Sequence, residues 1–258
     1  MLSARREDCI IALAMAASTP ITSSSAWAAL ETSGAQGSVA IGRGDQLMEA
    51  RRLIGRRTHV TDLLPTLATM CKAHDLSPDQ LAYIYVSAGP GSFTGLRVGI
   101  TVARMLALAQ GATLLAVPTL TVIAQNALQT PGPPPYVTVL LDAKRRHAYP
   151  ATFALSEGGY FPIDEPAEVD PAVYLAARPP MCAVLGEGVA EHQPAVQASG
   201  LRILSDCLQY PLAEIVFQLG RTLAQRGIRH DPRTLVPVYV RPPEAEEKWA
   251  KRQAPLRS

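Results

Sequence analysis

Gly89-Pro90-Gly91-Ser92-Phe93-Thr94-Gly95-Leu96-Arg97-Val98-Gly99 joins an apolar run, Leu81 to Ser87, to a helical pattern from about Leu96 to Ala109. The run reads as a strand, and Gly111 sits where a C′ glycine would end the helix. Glycine reaches positive φ and lets another backbone come close. A helix start offers free N–H groups and the positive end of a dipole. Gly89, Gly91, Ser92, Thr94 and Gly95 are therefore candidates for a phosphate-binding turn. The same stretch also reads as a tight βα connection that only packs one helix on a sheet. Three familiar motifs are excluded. No Gly-Lys-Ser/Thr follows, the last glycine is one residue late for G-x-G-x-x-G, and there is no G-x-S-x-G.

Upstream, Trp27 to Thr32 and Gly37 to Ile41 read as strands around the turn Ser33-Gly34-Ala35-Gln36. Arg43-Gly44-Asp45 is a hairpin turn into a third strand, Leu47 to Ile54. Thr58 suits a helix cap. Val60, Leu63, Leu64, Leu67, Met70 and Cys71 then recur at helical spacing up to about His74, with Pro65 expected to kink the helix or start it anew. Downstream come a strand, Thr113 to Val117, and a helix, Thr119 to Leu128. The order is three antiparallel strands, then helix, strand, helix, strand, helix.

Thr130-Pro131-Gly132-Pro133-Pro134-Pro135 is a linker. Beyond it, Tyr136 to Leu141 reads as a strand with His147 to Leu155 as its hairpin partner. A short helix is expected over Pro171 to Ala177, strands over Cys182 to Leu185 and Leu201 to Leu204, and an amphipathic helix over Leu212 to Arg226. Val236 to Val240 is a last extended segment. The expected division is an extension over 1–26, a first lobe over 27–130, a second over 136–240 and a charged, proline-rich tail over 241–258.

The composition fits this reading. Of 258 residues, 48% are apolar and 18% charged, which excludes wholesale disorder. Aromatics are only 5%, while glycines number 18 and prolines 22, so many turns and small-residue helix contacts are expected. A net charge of +2 gives no bulk field for nucleic acid or a membrane surface. Cys9, Cys71, Cys182 and Cys207 form no C-x-x-C and are read as reduced thiols. Near the amino terminus, Arg5-Arg6, the apolar run Cys9 to Ala17 and Ala26-Trp27-Ala28 imitate a secretory leader. Glu7-Asp8 spoils its basic region, and cleavage there would cut into the first strand. Residues 1–26 are therefore read as an extension and the cytoplasm as the compartment.

Taken whole, the glycine-rich string resembles the TsaB family, whose members serve threonylcarbamoyladenosine synthesis on tRNA. Leu30-Glu31-Thr32-Ser33 with Gly37-Ser38-Val39-Ala40 is similar to that family's opening hairpin. Thr58-His59 with Leu63-Leu64-Pro65 resembles its first helix, and Leu141-Asp142-Ala143-Lys144-Arg145 the start of its second lobe. Pro237 to Glu246 resembles its carboxy-terminal signature. The resemblance spans roughly 27–249. It implies an α/β, two-lobed actin-like ATPase architecture, with mixed sheets flanked by helices. It also implies a non-catalytic subunit that pairs with the paralogue TsaD, joined by the ATPase TsaE, and meets tRNA indirectly through the complex. A further reading is a homodimeric interaction protein that lost its pathway partner, and no membrane is involved. The implied dimer surface is the first two helices, with His59, Leu63, Leu67, Met70, Arg97, Thr101 and Arg104 as interface residues. The second helix suits close packing through Gly99, Thr101, Ala103, Ala107 and Ala109. No cofactor is expected to bind this chain tightly, and ATP is placed only at the interface of the complex.

The residues themselves offer little catalytic chemistry. His59 and His74 share one expected helix but would stand ~22 Å apart along it, so they cannot share an ion. No H-x-x-x-H or H-E-x-x-H occurs. Glu31 holds a position where the family more often has aspartate, and its plain reading is a hydrogen-bonded carboxylate at a strand end. His147 stands where the family commonly has glutamate. Lys144, Arg145 and Arg146 read as a solvated turn or a phosphate contact. The alternative function is a stand-alone ATP-hydrolysing or glycoprotease-like enzyme built on the 89–95 turn.

Overall fold

The computed structural model describes residues 22–53, 61–144 and 146–240. Strand β1 (Ala26–Glu31) is buried at every position, so both its faces are covered. It pairs antiparallel with β2 (Gly37–Arg43), Leu30 opposite Val39, and β2 continues to β3 (Gln46–Leu53). On its other side β1 runs parallel to β4 (Leu81–Gly89), and β4 to β5 (Thr113–Pro118). The sheet order is β3-β2-β1-β4-β5.

Alternation along β1 divides the helices between two layers. Ala28 and Leu30 share a core with Leu63, Leu67 and Met70 of α1 (Leu63–Ala73) and with Ile100, Ala103 and Ala107 of α2 (Phe93–Gln110). Trp27 and Ala29 point the other way, where the Trp27 ring stacks on Phe217 at 3.7 Å. Pro65 lies in the first turn of α1, where its missing N–H costs the helix nothing, so it marks a start rather than a kink. Helix α2 begins three residues earlier than its hydrophobic pattern suggests, because the Ser92 hydroxyl caps it by accepting from Gly95 N. It ends on Gly111 in the left-handed conformation, φ 65°.

After α3 (Thr119–Gln125) and a 3₁₀ turn (Asn126–Gln129), the second sheet repeats the plan of the first. Strand β6 (Tyr136–Asp142) is central and antiparallel to β7 (Ala148–Ser156), which pairs with β8 (Gly159–Pro162). It runs parallel to β9 (Cys182–Leu185), and β9 to β10 (Arg202–Ile203). The order β10-β9-β6-β7-β8 is the first sheet's order over again. Two lobes of one topology, each a mixed sheet flanked by helices, form the actin-like arrangement. Helices α4 (Pro171–Ala176), α5 (Gly188–Glu191) and α6 (Gln193–Ser199) cover one face of this sheet through Leu175, Val189 and Val196.

Two helices reach across the expected lobes. Leu120, Ile123 and Ala124 of α3, which lies within 27–130, join the core of the second sheet. Helix α7 (Ala213–Gln225), within 136–240, packs Ala213, Val216 and Phe217 on the first. Each lobe thus lends a helix to the other's core, an exchange that local patterns do not encode. β8, α5 and α6 were not anticipated, the 201–204 strand shortens to two residues, and 236–240 forms no strand. Val238 N nonetheless donates to Ala88 O at 2.7 Å, tying that segment to the end of β4. Ile54, Thr58, His59, the extension up to residue 21 and the tail from Arg241 lie outside the described residues.

Candidate functional site

The glycine-rich turn presses against the loop that leaves β1. A Cβ on Gly91 would overlap the Ser33 carbonyl oxygen, one on Gly95 the Thr32 carbonyl oxygen, and one on Gly99 the Thr32 hydroxyl. These glycines are small because another part of the chain lies on them. The Thr32 hydroxyl donates to Gly95 O at 2.7 Å, and Ser92 N donates to Ser33 O at 2.7 Å. Leu96 N bonds back to Ser92 O. The amides of Ser92, Gly95 and Leu96 are thus engaged by the chain's own oxygens. Gly89, at φ 111°, abuts the Val238 carbonyl. Thr94 is exposed on the first turn of α2. The geometry favours the packing reading of this turn over a phosphate cradle.

Glu31 lies at the end of β1 with no exposed surface. It accepts from Ser33 N and Ser33 Oγ, each at 2.5 Å, and from Ser87 Oγ. Burial raises its pKa above the usual carboxylate value, against those hydrogen bonds. It is the hydrogen-bonded carboxyl at a strand end that its position suggests. At the start of the second lobe, Lys144 Nζ pairs with Asp142 Oδ2 at 2.5 Å. Asp142, Lys144, Arg146, Glu191 and His192 line a recess of about 650 Å³. His74 pairs with Glu49 at 3.0 Å, and among the described residues no three His, Cys, Asp or Glu side chains are grouped to hold a metal ion. Nor is any described helix long and apolar enough to cross a membrane.

The expected interface residues divide into two sets. Leu63, Leu67 and Met70 face inward and are buried in the first lobe's own core, which corrects their assignment to a partner surface. The sheet takes that arc of α1 because it is the wider apolar arc. Arg97 and Thr101 lie on the outside of α2. Arg97 stacks over the Phe93 ring at 3.9 Å and donates to the Tyr239 hydroxyl at 3.2 Å. Arg104, half-buried, donates to Pro232 O at 2.5 Å and Arg233 O at 2.9 Å, so it anchors the carboxy-terminal segment. The exposed apolar side chains of this helical layer are others: Leu64 (45% exposed), Phe93 (38%), Met105 (61%) and Leu108 (51%). Helical spacing marks apolar residues without saying which arc the sheet covers, so it does not single out this exposed set.

Comparison with known proteins adds the following. The family model described as "TsaD: tRNA N6-adenosine threonylcarbamoyltransferase" matches residues 53–160, a span that holds both α1 and α2. A Bacillus subtilis (strain 168) protein, "tRNA threonylcarbamoyladenosine biosynthesis protein TsaB", is 26% identical over 238 residues, covering 87% of this chain and 98% of that one. Its Escherichia coli (strain K12) namesake is 26% identical over 189 residues, 72% and 81% of the two chains. Among solved structures, YeaZ from Pseudomonas aeruginosa superposes with a TM-score of 0.72 at 25% identity, over 83% of this chain and all of that one. A second Pseudomonas aeruginosa structure, of a protein described as similar to peptidase YeaZ, superposes equally well over 84% of this chain.

Proposed function

The chain belongs to the TsaB family, and we propose that it serves threonylcarbamoyladenosine synthesis on tRNA as a non-catalytic docking subunit for a TsaD-type partner. The observation that carries this reading is the outer face of α1 and α2. Met105 and Leu108 are more than half exposed and Leu64 nearly half, on the layer whose inner side is already packed. Such a face gains free energy when a sister helical layer covers it, at roughly 25 cal/mol per Å² of apolar surface. The family model centred on this span is that of the proposed partner, which fits two paralogues pairing like with like. The same face would serve a homodimer when the partner is missing. TsaE would join the assembled pair, tRNA would be met through the complex, and the cytoplasm is the setting this chemistry requires.

The rival reading, a stand-alone hydrolase on the 89–95 turn, gains no support from a turn whose glycines are covered by Thr32 and Ser33. Co-expression with the TsaD-type protein of the same cell tests the proposal. A stable heterodimer is expected, and Met105→Glu with Leu108→Glu should abolish it while the isolated chain stays folded. A well-folded chain that ignores that partner overturns the reading. So does ATP or peptide turnover by the chain alone.

A further inference from the structure

The segment that follows α7 is an extended strap across the first lobe. It starts on β5, where His230 N donates to Leu114 O at 2.9 Å and the His230 ring accepts from Ala116 N. It ends on β4, where Val238 N donates to Ala88 O at 2.7 Å. Between these points it runs beside α2 in the opposite direction. Arg104 holds the start of the strap through Pro232 O and Arg233 O, at 2.5 and 2.9 Å. Arg97, about 10 Å nearer the start of the helix, donates to the Tyr239 hydroxyl, and the Phe93 and Tyr239 rings lie 5.1 Å apart. Leu235 packs on the first lobe's core, and the alternation of an extended chain leaves Val236 and Val238 each more than half exposed.

Arg97, Thr101, Arg104 and Leu108 follow one another at spacings of four, three and four, so they form a single stripe along α2. Two members of that stripe reach the strap directly. A body that covers Thr101 and Leu108 therefore lies beside Val236 and Val238 as well. Leu64, Ala68 and Lys72 form the matching outer stripe of α1, each exposed. The charge on these helices is of one sign: α1 and α2 contain no aspartate or glutamate, while Lys72, Arg97 and Arg104 are cations. The strap's Asp231 is turned to its own chain, accepting from Arg233 N at 2.8 Å.

We propose that the strap and the outer stripes of α1 and α2 make one docking face, and that its occupant is a helical layer of the TsaD-type partner with an apolar centre and carboxylates facing Lys72 and Arg97. This rests on the docking reading above and adds to it a second wall, Val236 and Val238, and a charge rule. Carboxylates on the partner are attracted by cations that no acid on α1 or α2 offsets. A second copy of this chain, docked through the same patch on both sides, would bring cations to cations and is the weaker occupant. The family model of the partner matches the span that holds both helices and stops short of the strap, in keeping with a partner that has a layer of the same kind.

Capture of the full-length TsaD-type protein of the same cell by the full chain tests this, with Leu108→Glu as the reference for the docking reading. Val236→Ser together with Val238→Ser should leave the melting temperature nearly unchanged, because both side chains stand largely in solvent, and should weaken capture at least about tenfold. Lys72→Glu should weaken capture about threefold at low salt, and high salt should shrink that difference by screening. If Leu108→Glu abolishes capture while the serine pair leaves it unchanged, the strap is no part of the face, and the proposal falls with the docking reading intact. If the wild-type chain captures nothing, both fall. A homodimer that the serine pair dissolves, read by light scattering, with partner capture untouched, gives the face to a second copy and overturns the proposal. A Lys72→Glu chain that binds as tightly as wild type at low salt overturns the charge rule.

Discussion

The Thr32 hydroxyl donates to the Gly95 carbonyl at 2.7 Å, linking positions 63 apart in the chain. Around that bond the end of β1 lies against the first turns of α2 so closely that Gly91, Gly95 and Gly99 have no space for a methyl group. The glycine-rich turn is the joint that sets the helix on the sheet, and the outer face of α2 points where this joint aims it.

Gly95→Ala should therefore destabilise the chain, although alanine is the better helix former by about 1 kcal/mol. The new methyl meets the Thr32 backbone, which cannot step aside as a side chain could. A net loss of about 1–3 kcal/mol is expected from overpacking of this kind. Chemical denaturation measures it, and a stabilised variant would show that the contact is loose.

Leu67 and Leu108 should separate folding from docking. Leu67 is buried beneath the sheet, so Leu67→Ala should cost about 2–5 kcal/mol of stability. Leu108 is exposed on α2, so Leu108→Glu should change stability by no more than about 0.5 kcal/mol while weakening partner capture at least tenfold. Melting curves run beside a pull-down decide the matter. Equal effects of the two variants on both readouts would remove the distinction.

His230 makes stability fall in acid. Its ring accepts from Ala116 N at 3.2 Å through Nδ1, the His230 backbone N–H donates to Leu114 O at 2.9 Å, and burial holds the ring's pKa below the ordinary histidine value. The folded chain thus binds fewer protons than the unfolded chain below about pH 6.5, and stability is lost as pH drops from there toward the lowered folded value. Glu187, whose pKa is raised chiefly by burial, tilts the curve the other way, with stability lost as pH rises from about 4.5 to about 7. The difference in melting temperature between wild type and His230→Phe should accordingly shift in favour of His230→Phe between pH 7.5 and pH 5.5. A constant difference would mean that the ring does not titrate there.

Tyr85→Phe should leave the chain as stable or more so. Among the described residues the Tyr85 hydroxyl is buried without a hydrogen-bond partner. Its ring meets Trp27 and Phe217 edge-on at 6.2 and 5.6 Å, contacts that phenylalanine keeps. Removing an unsatisfied hydroxyl is worth about 1 kcal/mol, or about 2–4 °C in a chain of this size. A loss of similar size would reveal a partner for the hydroxyl.

Much of this architecture was legible in the residues, because it is written in short-range terms. The strands up to β5, the hairpin of β6 and β7 and the left-handed cap at Gly111 follow from local propensity and turn chemistry. β8 was hidden because two glycines, Gly158 and Gly159, read as loop, and α5 and α6 because neither is long enough to show a period. Glu187 carries no motif. It meets Ala35 across 152 positions, and nothing near it in the chain announces that meeting.

The amino-acid sequence by itself determined the order of elements in the first lobe, the place of the glycine-rich turn between β4 and α2 and the likeness to the TsaB family, since all three depend on neighbours along the chain. Only the tertiary structure decided that Leu67 and Met70 are core while Met105 and Leu108 are surface, that the lobes exchange helices, and that Glu187 reaches the Ala35 amide. The reason is that burial and desolvation belong to the packed molecule. A side chain's cost or gain depends on what the rest of the chain sets against it, and helical spacing leaves that choice open.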